Sequence, residues 1–424
     1  MVETFNRDRD LLALSNKDKI DSLREFTVSP EGQEKMTKFV DRLRSEVGHD
    51  DGWESVCRQA EAELDQYPVT ETTLNRLNST FSAFIDQMPP GHDRGHLSRD
   101  LLASLYLYHS TKNSVKYQSD AAAGLFAGIY HDIGTAIIPR YKDNQFGAGH
   151  AETGSYLFWQ VSEGLIGENT RKLACYAIAA HTHYLNDVNT NTPPNYTRKV
   201  YWDNLRQDND GKLIGAAVHL TRRSDRTDTN GVNLIFRHIN AHMDALQSGG
   251  QEFHGDQWVD INRDSLIKVL TPIIRDNPAK PLTTLEHVSN FAKSNNGQTP
   301  YSEKDYLFPN FRKILGLELS QFSQFITSID SNYLTVPSDE SEEQEVFKDF
   351  LYKISKSNPE YFQQSWSNFQ KVWPDISDDD KQRWYKGLLF AKTAYNDILD
   401  FYQTELESSE FSHLAESTID FLRH

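Results

Sequence analysis

"GLFAGIYHDIGTAIIPR" (124–140) sets His131 and Asp132 side by side at the end of an apolar run. Burying either group without a partner is unfavourable, so the pair raises the question of what else the chain brings to the edge of its core. Apolar segments at 101–108, 121–130, 156–161, 173–180 and 213–220 surround it, and ten of the fifteen histidines fall between His92 and His242. Upstream, Met36, Phe39, Val40, Leu43 and Val47 recur at i, i+3, i+4, i+7 and i+11, one stripe of a helix. No strand alternation and no internal repeat stands out. The fold class expected is all-α, a helical core carrying N- and C-terminal helical extensions.

The chain has 424 residues, more than one hydrophobic core usually holds. Three regions are expected: a helical one over 1–88, a histidine-rich core over 89–246 after the break at "MPPG" (88–91), and a helical one over 251–424 beyond "QSGG" (247–250). The last has a break at 293–300, then Ser338 as an N-cap ahead of a solvated acidic first turn (339–345). Phe362, Trp366, Phe369 and Trp373 follow at helical spacing and read as core rather than a cofactor box. The segment 184–212, rich in Asn, Asp, Thr and Pro, reads as a surface loop over a site.

A formal net charge of −17 argues against a broad grip on nucleic acid or an anionic membrane. A small anionic substrate needs only a local cluster of metals and arginines. Cys57 and Cys175, the two cysteines, supply neither a disulfide framework nor a thiolate metal site. The first residues contain no apolar signal-like segment and no run is long enough to span a bilayer, so a soluble, cytoplasmic protein is expected, with the sequons at Asn78 and Asn195 coincidental.

Candidate metal ligands recur at the boundaries of the apolar runs: His96, His131, Asp132, His150, His181 and Asp225. Imidazoles mixed with carboxylates and free of thiolates suit Mn, Fe, Co, Ni or Zn. Adjacent residues on a helix project about 100° apart, so His131 can hold one ion while the two oxygens of Asp132 reach a second. A carboxylate between two divalent cations escapes the penalty it would suffer when buried alone. Taken singly, each histidine reads as a hydrogen-bonded structural residue; the set as a whole points to metal. His183 could replace His181 or contact substrate, whereas His109, His219, His238 and His242 read as structural or surface residues. Arg94, Arg99, Arg140, Lys142, Arg222, Arg223 and Arg226 could meet a substrate phosphate, or equally form solvated faces and salt bridges. Asp93 reads as an N-cap.

The order His96, His131-Asp132, His150, His181, Asp225 resembles the HD-domain superfamily of metal-dependent phosphohydrolases, over residues 90–240. The resemblance implies an α-helical metal site in which His96, His131, Asp132 and Asp225 hold a first ion, and His150, His181 and the shared Asp132 a second. Two divalent transition-metal ions (Fe, Mn, Co, Ni or Zn) are the cofactors expected. "HDIGTAIIP" followed by His150 is most similar to the HD-GYP branch, which hydrolyses cyclic dinucleotides. Thr135 stands where that branch has lysine, no Gly-Tyr-Pro follows His181, and "HTH" (181–183) replaces adjacent histidines.

"HDRGH" (92–96) is similar to a stretch of the class I cyclic-nucleotide phosphodiesterases, which makes His92 the candidate general acid, or in HD-GYP terms a ligand of a third metal. Arg99 falls where the superfamily often has a structural arginine. The activity implied is hydrolysis of a small phosphorylated or nucleotide-like substrate, a phosphodiester or phosphomonoester, by a hydroxide bridging two metals, with His92 and Asp132 as catalytic residues and Arg94, Arg99, Lys142, His183 and Arg222 toward the substrate. Two other classes stay open: a mixed-valence di-iron oxygenase on the same ligands, and a non-catalytic metal-containing binding protein whose protein partners meet the flanking helical regions. Alarmone hydrolases are a nearer rival, although "HDIGTA" lacks their carboxylate pair.

Overall fold

The computed structural model describes residues 16–89, 92–138, 149–181, 215–230, 251–254, 257–260 and 395–423. They are overwhelmingly helical, and the all-α expectation holds. Among the described residues the exception is a short antiparallel hairpin, β1 (Gln251–His254) and β2 (Gln257–Asp260), with Gln251 opposite Asp260 and His254 opposite Gln257. The chain divides into two compact units, residues 1–97 with 112–222, and residues 98–111 with 223–424. Among the described residues no helix is long and apolar enough to cross a membrane.

The first described helices of the first unit are α1 (Asn16–Val28), α2 (Pro30–Val47), α3 (Asp50–Glu61) and α4 (Glu71–Ile85). Their starts follow capping chemistry. The Ser29 hydroxyl accepts from the Gly32 N–H ahead of Pro30, the His49 ring from the Gly52 N–H, and the Thr70 hydroxyl from the Thr73 N–H. The stripe Met36, Phe39, Val40, Leu43 and Val47 is buried along α2, as its spacing predicts. The N-terminal helical region therefore belongs to the same compact unit as the helices that carry the histidines.

Those helices are α5 (Arg94–Thr111), which passes out of the unit after Leu97, then α6 (Gln118–Tyr130), α7 (His150–Val161), α8 (Glu168–Ala180) and α9 (Gly215–Asn230). Residues 119–130 of α6 are all buried, the pattern of a helix enclosed on every side. α8 packs against α6, α7, α3 and α2, while α7 packs against the 3-10 turn Ile133–Ala136. Phe81, Tyr130 and Phe158, all fully buried, cluster at centroid distances of 4.6 to 5.9 Å. The Tyr130 hydroxyl, one residue before His131, donates to Asn78 at 2.5 Å.

In the second unit, residues 98–111 of α5 carry Tyr106 against Phe401 and Tyr402 of a helix over 395–406 (α10), and Tyr108 against Phe411 ahead of α11 (Ser412–Arg423). Ser224 of α9 shares a 2.7 Å hydrogen bond with Ser104 and donates to the Asp100 carbonyl. The expected loop over 184–212, the linker 247–250, the break 293–300, Asn195, and the helix start and aromatics between 338 and 373 lie outside the described residues.

Candidate metal centre

Four helices of the first unit deliver five imidazoles to one carboxylate. His92 precedes α5 and His96 lies in its first turn; Asp93 caps that helix, its Oδ1 accepting from the His96 N–H at 3.1 Å. His131 ends α6, His150 opens α7, and His181 ends α8. The expectation that His131 and Asp132 both sit on a continuous helix is corrected. His131 is the C-cap of α6 (φ −57°, ψ −36°), and Asp132 turns to φ −95°, ψ 3° to start the 3-10 turn, whose Thr135 hydroxyl returns to the Asp132 carbonyl. Leaving the helix frees the Asp132 side chain from helical spacing and lets its two oxygens face different neighbours.

The two oxygens divide the histidines. Oδ2 lies 3.1 Å from His96 Nε2, 3.3 Å from His131 Nε2 and 2.6 Å from His92 Nδ1. Oδ1 lies 3.3 Å from both His150 Nε2 and His181 Nε2, which are themselves 3.3 Å apart. All six side chains are buried. Metal–ligand bonds of about 2.1 Å subtending about 100° place two ligand atoms about 3.2 Å apart. The spacing of His96, His131, His150 and His181 around Asp132 is thus that of ligands sharing an ion. The ligand atoms of Asp132, His150 and His181 lie within 4.8 Å of one another, as do those of His96, His131 and Asp132.

The tautomers agree with that use. His131 Nδ1 donates to the Gly128 carbonyl at 2.9 Å, and His181 Nδ1 to the Ile178 carbonyl at 2.6 Å, which leaves Nε2 of each ring, the nitrogen facing Asp132, as the one available to an ion. Burial pushes His181 down to about 4, against the opposing pull of its hydrogen bond to Asp132, and keeps it neutral at ordinary pH. Burial alone would raise Asp132, but the charges of His131 and His92 and hydrogen bonds from His131 and His150 hold it well below the usual carboxylate range. Imidazoles gathered around an ionised carboxylate make a donor set for divalent transition metals, so the residues present fit the expected ions.

Asp225 lies on α9 in the second unit and is half-buried. Arg94 is exposed and its guanidinium pairs with Asp86 at 2.6 Å; Arg99 is half-buried in the second unit. Arg222 is on α9 with its side chain outside the description, and Arg140, Lys142 and His183 lie outside the described residues, so His181 is the member of "HTH" that the described cluster contains.

Several residues that shape the centre carry no ligand chemistry toward it. A Cβ on Gly134 would stand 1.9 Å from the His150 carbonyl oxygen, and one on Gly154 would stand 3.1 Å from the Gly134 nitrogen, so the turn after Asp132 meets the start of α7 backbone to backbone. Arg24 of α1 donates Nη2 and Nε to the Ala136 carbonyl at 3.0 and 3.3 Å and ties down the end of that turn. Buried Asp120, in the first turn of α6, accepts from the Trp53 indole at 3.2 Å and from the Ala216 and Ala217 N–H groups of α9 at 2.8 Å each. The glycine in "HDIG" was the sequence signal for the first of these. The other two join positions too far apart in the chain to be paired by pattern.

Compared with known proteins, the chain matches no family model, no curated sequence and no solved structure.

Proposed function

We propose that the protein is a metal-dependent phosphohydrolase of the HD-domain kind, acting on a phosphodiester or phosphomonoester of a small nucleotide-like substrate. The observation that carries this reading is the division of Asp132, with Oδ1 toward His150 and His181 and Oδ2 toward His96 and His131 at ligand spacing. His96, His131 and Asp132 would hold one ion; His150, His181 and the shared Asp132 would hold the other. Bound there, two divalent cations supply Lewis acidity, offsetting phosphate charge and lowering the pKa of water.

The chain's own residues do the rest. Backbone carbonyls at Gly128 and Ile178 lock two rings in the binding tautomer. The burial of all six side chains limits water to what the site itself admits. His92, expected as the proton donor, has Nδ1 committed to Asp132, so a proton passed to a leaving oxygen comes from Nε2.

Metal analysis of the purified chain, followed by a screen against phosphodiesters, phosphomonoesters and nucleotides, tests the reading. We expect about two divalent ions per chain and metal-dependent phosphate release, both lost in Asp132→Ala. Full activity in Asp132→Ala refutes it, and so does bound iron accompanied by oxygen consumption with no hydrolysis of any ester.

A further inference from the structure

The five histidines are not equivalent. Four approach Asp132 through Nε2 at 3.1 to 3.3 Å, the separation of atoms that share an ion. His92 approaches through its other nitrogen, Nδ1, at 2.6 Å. That is too short for two ligands of one ion and is the length of a charge-assisted N–H···O⁻ hydrogen bond. The ring is buried and stands edge-on to His96, with centroids 5.5 Å apart and planes at 89°. From these observations, and resting on the metal reading above, we infer that His92 is a positioning residue: its Nδ1–H fixes Oδ2 of Asp132 so that one carboxylate is held open toward two different sets of ligands.

A free carboxylate rotates about its Cβ–Cγ bond, and a rotation that satisfies the three nitrogens on one side pulls the other oxygen away from His150 and His181. A proton donor on Oδ2 that does not itself bind metal picks one rotation, and it leaves a lone pair of that oxygen for the ion. Outer partners of this kind typically change metal affinity 10–100-fold when removed. The role does not require His92 to transfer a proton to substrate and is independent of whether it does.

Side-chain length supplies a test, because the Nδ2 of asparagine sits at the same bond count from the backbone as Nδ1 of histidine, whereas the Nε2 of glutamine mimics the other ring nitrogen. Cobalt(II) titrations of the full-length, metal-stripped chain would follow affinity and the ligand-field spectrum for wild type, His92→Ala, His92→Asn and His92→Gln. We expect His92→Ala and His92→Gln to bind about 10–100-fold more weakly, and His92→Asn to bind within about threefold of wild type with an unchanged spectrum. Equal affinity in all four proteins overturns the inference, as does an asparagine variant as weak as alanine or with the spectrum of a lost imidazole. If His92→Ala does not fold, the asparagine–glutamine comparison decides alone. A wild-type chain that binds no cobalt refutes the metal reading itself, a different result from binding that ignores position 92.

Discussion

At the scale of single residues, His181 makes the stability of the fold depend on pH. In the folded chain burial lowers the His181 pKa to about 4 from an ordinary 6.5. Between those values the unfolded chain binds a proton that the folded chain refuses, so stability rises with pH across the window. The contribution is complete above about pH 6.5 and falls away as the pH drops toward 4, by about 3 kcal/mol for a shift of this size. Asp132, held well below its ordinary value, acts in the same direction at still lower pH, since its stabilisation is lost as pH falls through its folded-state pKa. Urea unfolding of the metal-free protein from pH 7 to 4 should therefore show a steep loss of stability, and His181→Gln should flatten that slope above pH 4. An identical slope in the variant would show that His181 is not the group being titrated. The same neutral ring lets a cation bind near neutral pH without displacing a proton from His181 Nε2.

At the scale of elements, the centre depends on where helices end. α6 stops at Tyr130, and the turn that follows fits only because residue 134 is glycine, with the His150 carbonyl 1.9 Å from where a Cβ would be. Because the contact is with backbone, Gly134→Ala must push the start of α7 outward, and His150 with it. We expect a loss of roughly 1–3 kcal/mol in unfolding free energy, together with a fall toward one bound ion, as His150 leaves the set facing Oδ1. A variant with two ions and unchanged stability would refute this account of the turn. Asp120→Ala should cost about 1–2 kcal/mol by removing the acceptor at the N-terminus of α9.

How much of this could be read from the chain differs element by element. The stripe on α2, the Asp93 cap, the apolar runs and the histidines that gather at Asp132 were legible because each depends on local spacing or on residue chemistry. The exit of Asp132 from the helix was not, because nothing in "YHDIG" alone tells a continuing helix from a 3-10 turn; the tight contact with α7 decides it. Nor was the bond from Arg24 to the Ala136 carbonyl, which spans 112 positions of sequence. The identity of His92 as a donor through Nδ1 was likewise hidden, since spacing places a ring near a site but does not choose its nitrogen.

At the scale of the whole molecule, the metal reading makes the first unit a set of helices held by more than their apolar faces. His96 on α5, His131 at the end of α6, His150 on α7 and His181 at the end of α8 come from four separate elements. An ion that binds this assembled set, and not the unfolded chain, stabilises the fold by mass action, about 4 kcal/mol at a thousandfold excess over its dissociation constant. For a unit of 150–250 residues each kcal/mol moves the melting temperature by about 2–4 °C, so the expected shift on metal loading is about 8–16 °C. Calorimetry of the full chain with chelator, and then with rising manganese or zinc, measures it. The first unit's transition should climb with metal concentration in the wild type and stay fixed in Asp132→Ala, which lacks the shared carboxylate. His150→Ala should keep part of the shift, because the ligands facing Oδ2 remain. A transition that ignores both chelator and added metal would mean that the buried histidines hold the helices together by hydrogen bonds to Asp132 alone.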